Sequence, residues 1–164
     1  MLIRASLTSG SLYVVGDLIN QNWVSAGNYP VWNSQQTMRF GLTGALLHGP
    51  YFLLGFRQLD RIFPNKTLGH ALAKTAMGQI FIFPPFVALF LSFTALLERQ
   101  SSSDYLSSRF WAINRSGILV WPAANFINFR FVPSHLRIAY INLIGIGWNT
   151  YLSWASQQIV KRDL

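Results

Sequence analysis

Ser6, Gly10, Tyr13, Asp17 and Gln21 recur at spacings of three and four residues, which on an α-helix puts them on one face. That face is small and polar within a largely apolar stretch, and it carries a carboxylate. A charged side chain inside a membrane span costs a few kcal/mol, so it turns toward a bundle interior or a watery cavity and takes a partner there. Asp17 therefore suits one of two tasks: a step in the passage of a solute or proton, or half of a buried pair with an Arg or Lys near a helix end. Amides on other apolar runs extend the same chemistry. Asp17, Gln21, His48, Gln79, Asn125, Asn128 and Asn149 are together the candidate polar interior or pore lining. His48 stands alone before Gly49 and Pro50, and a hydrogen-bonded packing role suits it better than metal ligation or proton relay.

Catalysis is not expected from this set. General acid–base chemistry needs converging titratable groups, yet His48, His70 and His135 are scattered with no pair four apart. Asp60, Glu98, Asp104 and Asp163 fall at helix ends or loops, and no HExxH, GxSxG or phosphate-loop pattern occurs. With no cysteine in the chain, thiolate catalysis, disulfides and Cys-based zinc sites are excluded. No catalytic residue, metal or cofactor is called for.

The elements that must position these polar groups follow from composition. Only 11% of the residues are Asp, Glu, Lys or Arg while 51% are apolar, against about 25% charged residues in an ordinary soluble domain. Three uncharged runs, between Arg39 and Arg57, Lys74 and Glu98, and Arg137 and Lys161, are each long enough to span, since a bilayer asks for about 20 apolar residues per helix. The amino-terminal run through Asp17 reads as a first helix. Helix-stopping clusters at Gly27 to Pro30, Pro64 to Asn65 and Ser101 to Asp104 separate the runs. The expected fold is an all-α integral membrane protein, a bundle of about four kinked transmembrane helices plus a short broken helix around Trp121 to Arg130, forming one domain over residues 1–164.

Gly41, Ala45 and Gly49 make a small-residue ridge that lets a neighbouring backbone come close. Pro50, Pro84, Pro85 and Pro122 fall inside apolar runs, where each removes a backbone donor and disturbs the preceding turn. Pro133 is well placed for the first turn of the final helix. Between Trp121 and Pro133 alternation is poor, so this stretch reads as a helix break beside the bilayer surface rather than a strand. Asp60, Arg61, Arg130 and Arg137 are expected as interface charges. Phe81, Phe86, Phe90 and Phe93 are expected to face lipid or partner helices. The thirteen basic residues, with a net charge of +8, punctuate apolar runs instead of forming a patch, so nucleic-acid binding is not expected.

Several of these positions carry a resemblance. Trp121-Pro122, Asn128-Phe129, Val132-Pro133, Arg137, Trp148-Asn149 and Leu152-Ser153-Trp154 resemble the carboxy-terminal signature of the Mpv-seventeen and peroxisomal-membrane-protein-twenty-two family. Upstream, Gly16-Asp17 with Gln21, His48-Gly49-Pro50, and Leu59-Asp60-Arg61 with Pro64 resemble its earlier motifs. The chain departs from that pattern at Gly78-Gln79, where relatives commonly have Asp-Gln, at Asn125, where they have Gln, and at Gly55-Phe56. Asp17 is thereby left as the one carboxylate deep in an expected span. The resemblance implies a small non-enzymatic protein of the mitochondrial inner membrane, or alternatively the peroxisomal membrane, with proposed pore or metabolite-channel activity. The expected partners are the bilayer and either further copies of the chain or subunits of a larger complex; the departures from the family pattern give weight to this alternative, an accessory subunit or assembly partner.

Overall fold

The computed structural model describes residues 1–24, 32–99 and 101–148, and the regular elements among them are all helical. Helix α1 (Leu2–Ile19) continues into a π-helical turn at Asn20–Val24. Helix α2 (Ser34–Leu42) starts at Asn33, whose side chain accepts the Gln36 N–H, and passes through a π-helical turn at Thr43–His48 into α3 (Gly49–Ile62). Helix α4 (Leu68–Met77), capped by Thr67 on the His70 N–H, passes in the same way through Gly78–Ile82 into α5 (Phe83–Glu98). Helix α6 is Ser102–Phe131, and α7 occupies residues 137–148.

Both internal π turns end just before proline. A proline ring crowds the carbonyl four residues back and offers it no N–H. In the wider turn the Gly49 N–H reaches the Gly44 oxygen and the Phe83 N–H reaches the Gly78 oxygen, so the ladder is re-formed around the defect. The disturbance expected at Pro50, Pro84 and Pro85 thus takes the form of inserted turns within continuous rods.

Pro122 behaves differently and corrects the sequence reading. Helix α6 runs through it without a break, so the expected short broken helix around Trp121 to Arg130 is the carboxy-terminal part of a 30-residue helix. One lost ladder bond is tolerated because α6 packs along both α4 and α5. The chain breaks at Val132 instead, which is extended (φ −82°, ψ 130°), as the residue before a proline prefers to be. Pro133 then opens the last turn, its carbonyl accepting the Leu136 N–H at 2.9 Å.

The rods run back and forth. Helix α1 lies antiparallel to α2–α3, with Asp17 against Gln36 and Thr37 near one end and Ala5 against Gly49 near the other. Helix α7 starts beside the end of α3, where Arg137 meets Asp60, and then follows α1, Asn142 bonding Ser9 and Ile146 lying against Gly16. Phe52, Phe56, Phe86 and Phe129 join Ile138 and Ile141 in the main core, while Phe83, Val87, Leu91 and Ala95 pack on α6. Phe86 is therefore buried and not outward-facing; Phe81 is exposed, and Phe90 and Phe93 are half-buried.

One described helix, Leu68–Leu97, is long and apolar enough to cross a membrane, and only 28% of its most apolar window is buried inside the protein. A soluble core helix would hide that surface. Leu2, Ile3 and Leu7 on α1 and Leu46 and Leu54 on the second rod also point outward.

The small-residue ridge meets α1. A Cβ at Gly41 would lie 2.9 Å from Val14, and one at Gly10 would lie 3.0 Å from Ala45. The closest backbone approach, however, falls on Gly44 and Gly49, where a Cβ would sit 2.6 Å from the Ser9 oxygen and 2.5 Å from the Ala5 oxygen. These two glycines are five apart, and the intervening π turn brings them onto one face. Gly49→Ala should therefore force the rods apart and destabilise the bundle by about 1–3 kcal/mol. Gly69→Ala, with nothing within 4 Å of its Cβ, is the control. Thermal unfolding in mild detergent reads both, and a Gly49 variant as stable as the Gly69 variant would refute the close-packing argument.

Candidate functional site

A cavity of about 310 Å³ lies among the rods, lined from α1, the α2–α3 rod, α5, α6 and α7. Its polar lining comprises Tyr13, Asp17, Asn20, His48, Asn125 and Asn142; rings such as Phe83, Phe86, Phe90 and Trp121 supply most of the rest.

Asp17 is 3% exposed. Its Oδ1 accepts from Gln36 Nε2 at 2.7 Å, and its Oδ2 accepts from Gln21 Nε2 at 2.6 Å and Thr37 Oγ1 at 2.7 Å. Trp32 Nε1 donates to Thr37 Oγ1 at 3.0 Å, which leaves the hydroxyl proton for Asp17. Every donor is neutral. The pairing with Arg or Lys weighed from sequence is not formed among the described residues; a layer of amides and a hydroxyl covers one side of the carboxylate, and the cavity faces the other.

His48 is buried as well, its Nδ1 3.3 Å from Ser9 Oγ and its ring in tilted contact with Tyr13 and Phe52 and edge-on contact with Phe86. Asn142 Nδ2 donates to Ser9 Oγ at 2.9 Å and to the Ile138 oxygen at 2.8 Å. Since the Ile138 carbonyl can only accept, the Asn142 amide orientation is fixed and its Oδ1 is left without a partner. Asn20 Oδ1 and Asn125 Oδ1 are likewise buried without a hydrogen bond.

A second polar cluster lies at the opposite end of the bundle. Asp60 accepts from Lys74 Nζ at 2.6 Å and from Arg137 Nη1 at 2.8 and 2.7 Å. Both cations are 2% exposed and both lie over the Phe129 ring, at 5.8 and 5.2 Å. The triad thus joins the end of α3 to the last turn of α4 and the start of α7. Asp60 belongs to the hydrophilic stretch between Arg57 and Lys66. Burial pushes its carboxyl up, but hydrogen bonds and charge from Arg137 and Lys74 outweigh this and hold it below the ordinary carboxylate value.

Of the expected polar interior, Asp17, His48 and Asn125 line the cavity, and Gln21 holds Asp17 from behind. Gln79 and Asn128 do not reach it: Gln79 Oε1 and both polar side-chain atoms of Asn128 are buried elsewhere without partners. Asn149 lies outside the described residues. Among the expected interface charges, Arg61 is exposed on Gln58 and Arg130 stacks on Phe131, but Asp60 and Arg137 are the ion triad, and Arg137 is buried. Asn20, Thr37 and Lys74 were missed. Lys74 reads as the polar edge of an apolar run, and only its spatial meeting with Asp60 gives it a role.

A model described as the Mpv17 / PMP22 family matches residues 95–153. Protein sym-1 of Neurospora crassa is 32% identical over 159 residues, covering 96% of this chain and 92% of that protein. PXMP2/4 family protein 4 of Dictyostelium discoideum is 32% identical over 152 residues, covering 90% and 82%. Mitochondrial inner membrane protein Mpv17 of Mus musculus is 32% identical over 160 residues, covering 93% and 88%. No solved structure matches the chain.

Proposed function

Because this chain belongs to the Mpv17 / PMP22 family, we propose that it resides in the mitochondrial inner membrane, the peroxisomal membrane being the alternative, and admits a small solute to its cavity without catalysing a reaction. The four apolar runs expected from sequence cross the bilayer, and α6, about as long as the α2–α3 and α4–α5 rods, runs beside them. The observation that carries the solute reading is the meeting of Asp17, Asn125 and Asn142 around one cavity. A bundle that needed only to pack would fill such a space with apolar side chains.

Reconstituted protein should make liposomes permeable to solutes small enough for the cavity. Asn125→Leu should change the rate or selectivity with little effect on folding, because the buried Asn125 Oδ1 has no hydrogen-bond partner to lose. Swelling or tracer flux measures this, and a wild type no leakier than protein-free liposomes removes the reading.

A second reading is favoured by the neutral donors around Asp17: buried polar glue in an accessory subunit of a larger membrane complex. That reading requires stable comigration with other subunits on native gels, with mass spectrometry naming them. A small homo-oligomer speaks for independent passage.

A further inference from the structure

We infer that the cavity is a binding site for a small protonated primary amine, its ammonium group held by Asp17 and the unpartnered amide oxygens and its apolar part held by the aromatic wall. The inference deepens the solute reading by naming the class of solute. Four observations carry it.

The first is charge. Asp17 accepts hydrogen bonds on both oxygens from groups that only donate or whose proton is free to do so. No cationic side chain among the described residues lies within ion-pair distance of it. A carboxylate in a low-dielectric site without a countercharge favours a cation from outside.

The second is unused acceptor capacity. A carboxylate offers about four acceptor positions; Gln36 takes one on Oδ1, and Gln21 and Thr37 take two on Oδ2, so the remaining one is on Oδ1.

The third is the sign of the other polar groups. Among the residues that line the cavity, Asn142 carries a buried side-chain oxygen without a partner, and Asn20 and Asn125 each carry a buried amide atom without a partner, an amide that can turn its oxygen toward an incoming donor. Asn142 is 3% exposed and Asn125 7%, and the Asn142 orientation is fixed by its two donated bonds. A primary ammonium brings three donors and no acceptor, which matches what this wall lacks. An anion would meet a carboxylate and carbonyl oxygens instead.

The fourth is the remaining wall. Phe83, Phe90, Trp121 and Tyr13 present ring surface, suited both to an apolar tail and to the face-on attraction of a cation. A volume of about 310 Å³ sits at the lower end of small-molecule sites, roughly 300–1,000 Å³, so the ligand has a single head and a short tail.

The test titrates the full chain in nanodiscs of zwitterionic lipid with 2-phenylethylammonium, and separately with 2-phenylethanol as the uncharged comparator of similar size, subtracting protein-free nanodiscs. Saturable binding of the amine, at least about tenfold tighter than the alcohol, is expected. Asn125→Leu and Asp17→Asn should each weaken the amine by a larger factor than the alcohol, whose single hydroxyl uses less of the same acceptor wall. Equal binding of amine and alcohol by the wild type, or no saturable binding of either, overturns the inference without any variant, so a misfolded Asp17→Asn chain does not rescue it. The flux measurement on the same preparation is independent. Amine binding without flux keeps the site and removes passage; flux without amine preference keeps passage and removes this ligand class.

Discussion

Asp60→Asn is expected to cost the bundle about 3–5 kcal/mol, the range for removing one partner of a buried ion pair. The reason is asymmetric burial. The Asp60 side chain keeps 31% of its exposure, whereas Lys74 and Arg137 keep almost none. An asparagine oxygen can still accept hydrogen bonds, but two buried cations would then share the Phe129 ring with no countercharge among the described residues. Arg61→Ala, next to Asp60 in sequence, removes an exposed side chain bonded to Gln58 and should shift stability by no more than about 0.5 kcal/mol. Acid should reproduce the first effect. Because the folded carboxyl is held below its ordinary value of 3.8, the stabilisation is present at and above that pH and is lost as pH falls through the lower folded value. Thermal unfolding in detergent across that window, with wild type and Asp60→Asn side by side, measures both. If the variant matches wild type near neutrality, or if the two fail to converge in acid, the triad is not what joins α3, α4 and α7.

The contrast between Asp60 and Arg61 also marks what the sequence could reveal. The helical stripe from Ser6 to Gln21 was legible because 3.6-residue periodicity needs only one strand of chain, and it does face the bundle, Gly10 against Ala45 and Asp17 among its donors. The small-residue ridge was legible for the same reason, but only in part. Counting by four selects Gly41, Ala45 and Gly49, and a π turn shifts the count so that Gly44 comes to lie against the Ser9 backbone. That shift depends on how a rod absorbs Pro50, which no spacing rule contains. Pro122 misled in the other direction: a proline in weakly apolar sequence reads as a break, and it is the packing of α6 on two neighbours that keeps the helix whole.

Pairings across long separations were the least legible. Arg137 and Asp60 are 77 residues apart and Asn142 and Ser9 are 133 apart. Each alone looks like an interface charge or one more small polar residue. Only the course of α7, first beside the end of α3 and then along α1, makes them partners. Asn125 was legible as a polar group in an apolar run, but that its oxygen lacks a partner was not, since being without a partner is a property of surroundings.

For Asp17, replacement should separate structural from solute-facing roles. Asp17→Asn keeps the shape but presents one acceptor oxygen and an NH₂ to a shell that donates from both sides, so at least one donor faces another donor. Losing one hydrogen bond to a charged group costs about 1.5–3 kcal/mol, and the variant should unfold at correspondingly lower temperature. The double variant Asp17→Asn with Gln36→Glu reverses the polarity of the 2.7 Å contact, letting the new amide donate to the new carboxylate. It should recover most of the lost stability. Gln36 does not line the cavity, so the same exchange moves the negative charge out of it. If Asp17 serves only to hold α1 on α2, the double variant should behave as wild type in every respect. If its charge acts on a solute, stability returns while amine binding and flux do not. A double variant that regains both would confine Asp17 to the scaffold, whereas one that regains neither would show that the Gln36 contact is not interchangeable with the rest of the donor shell.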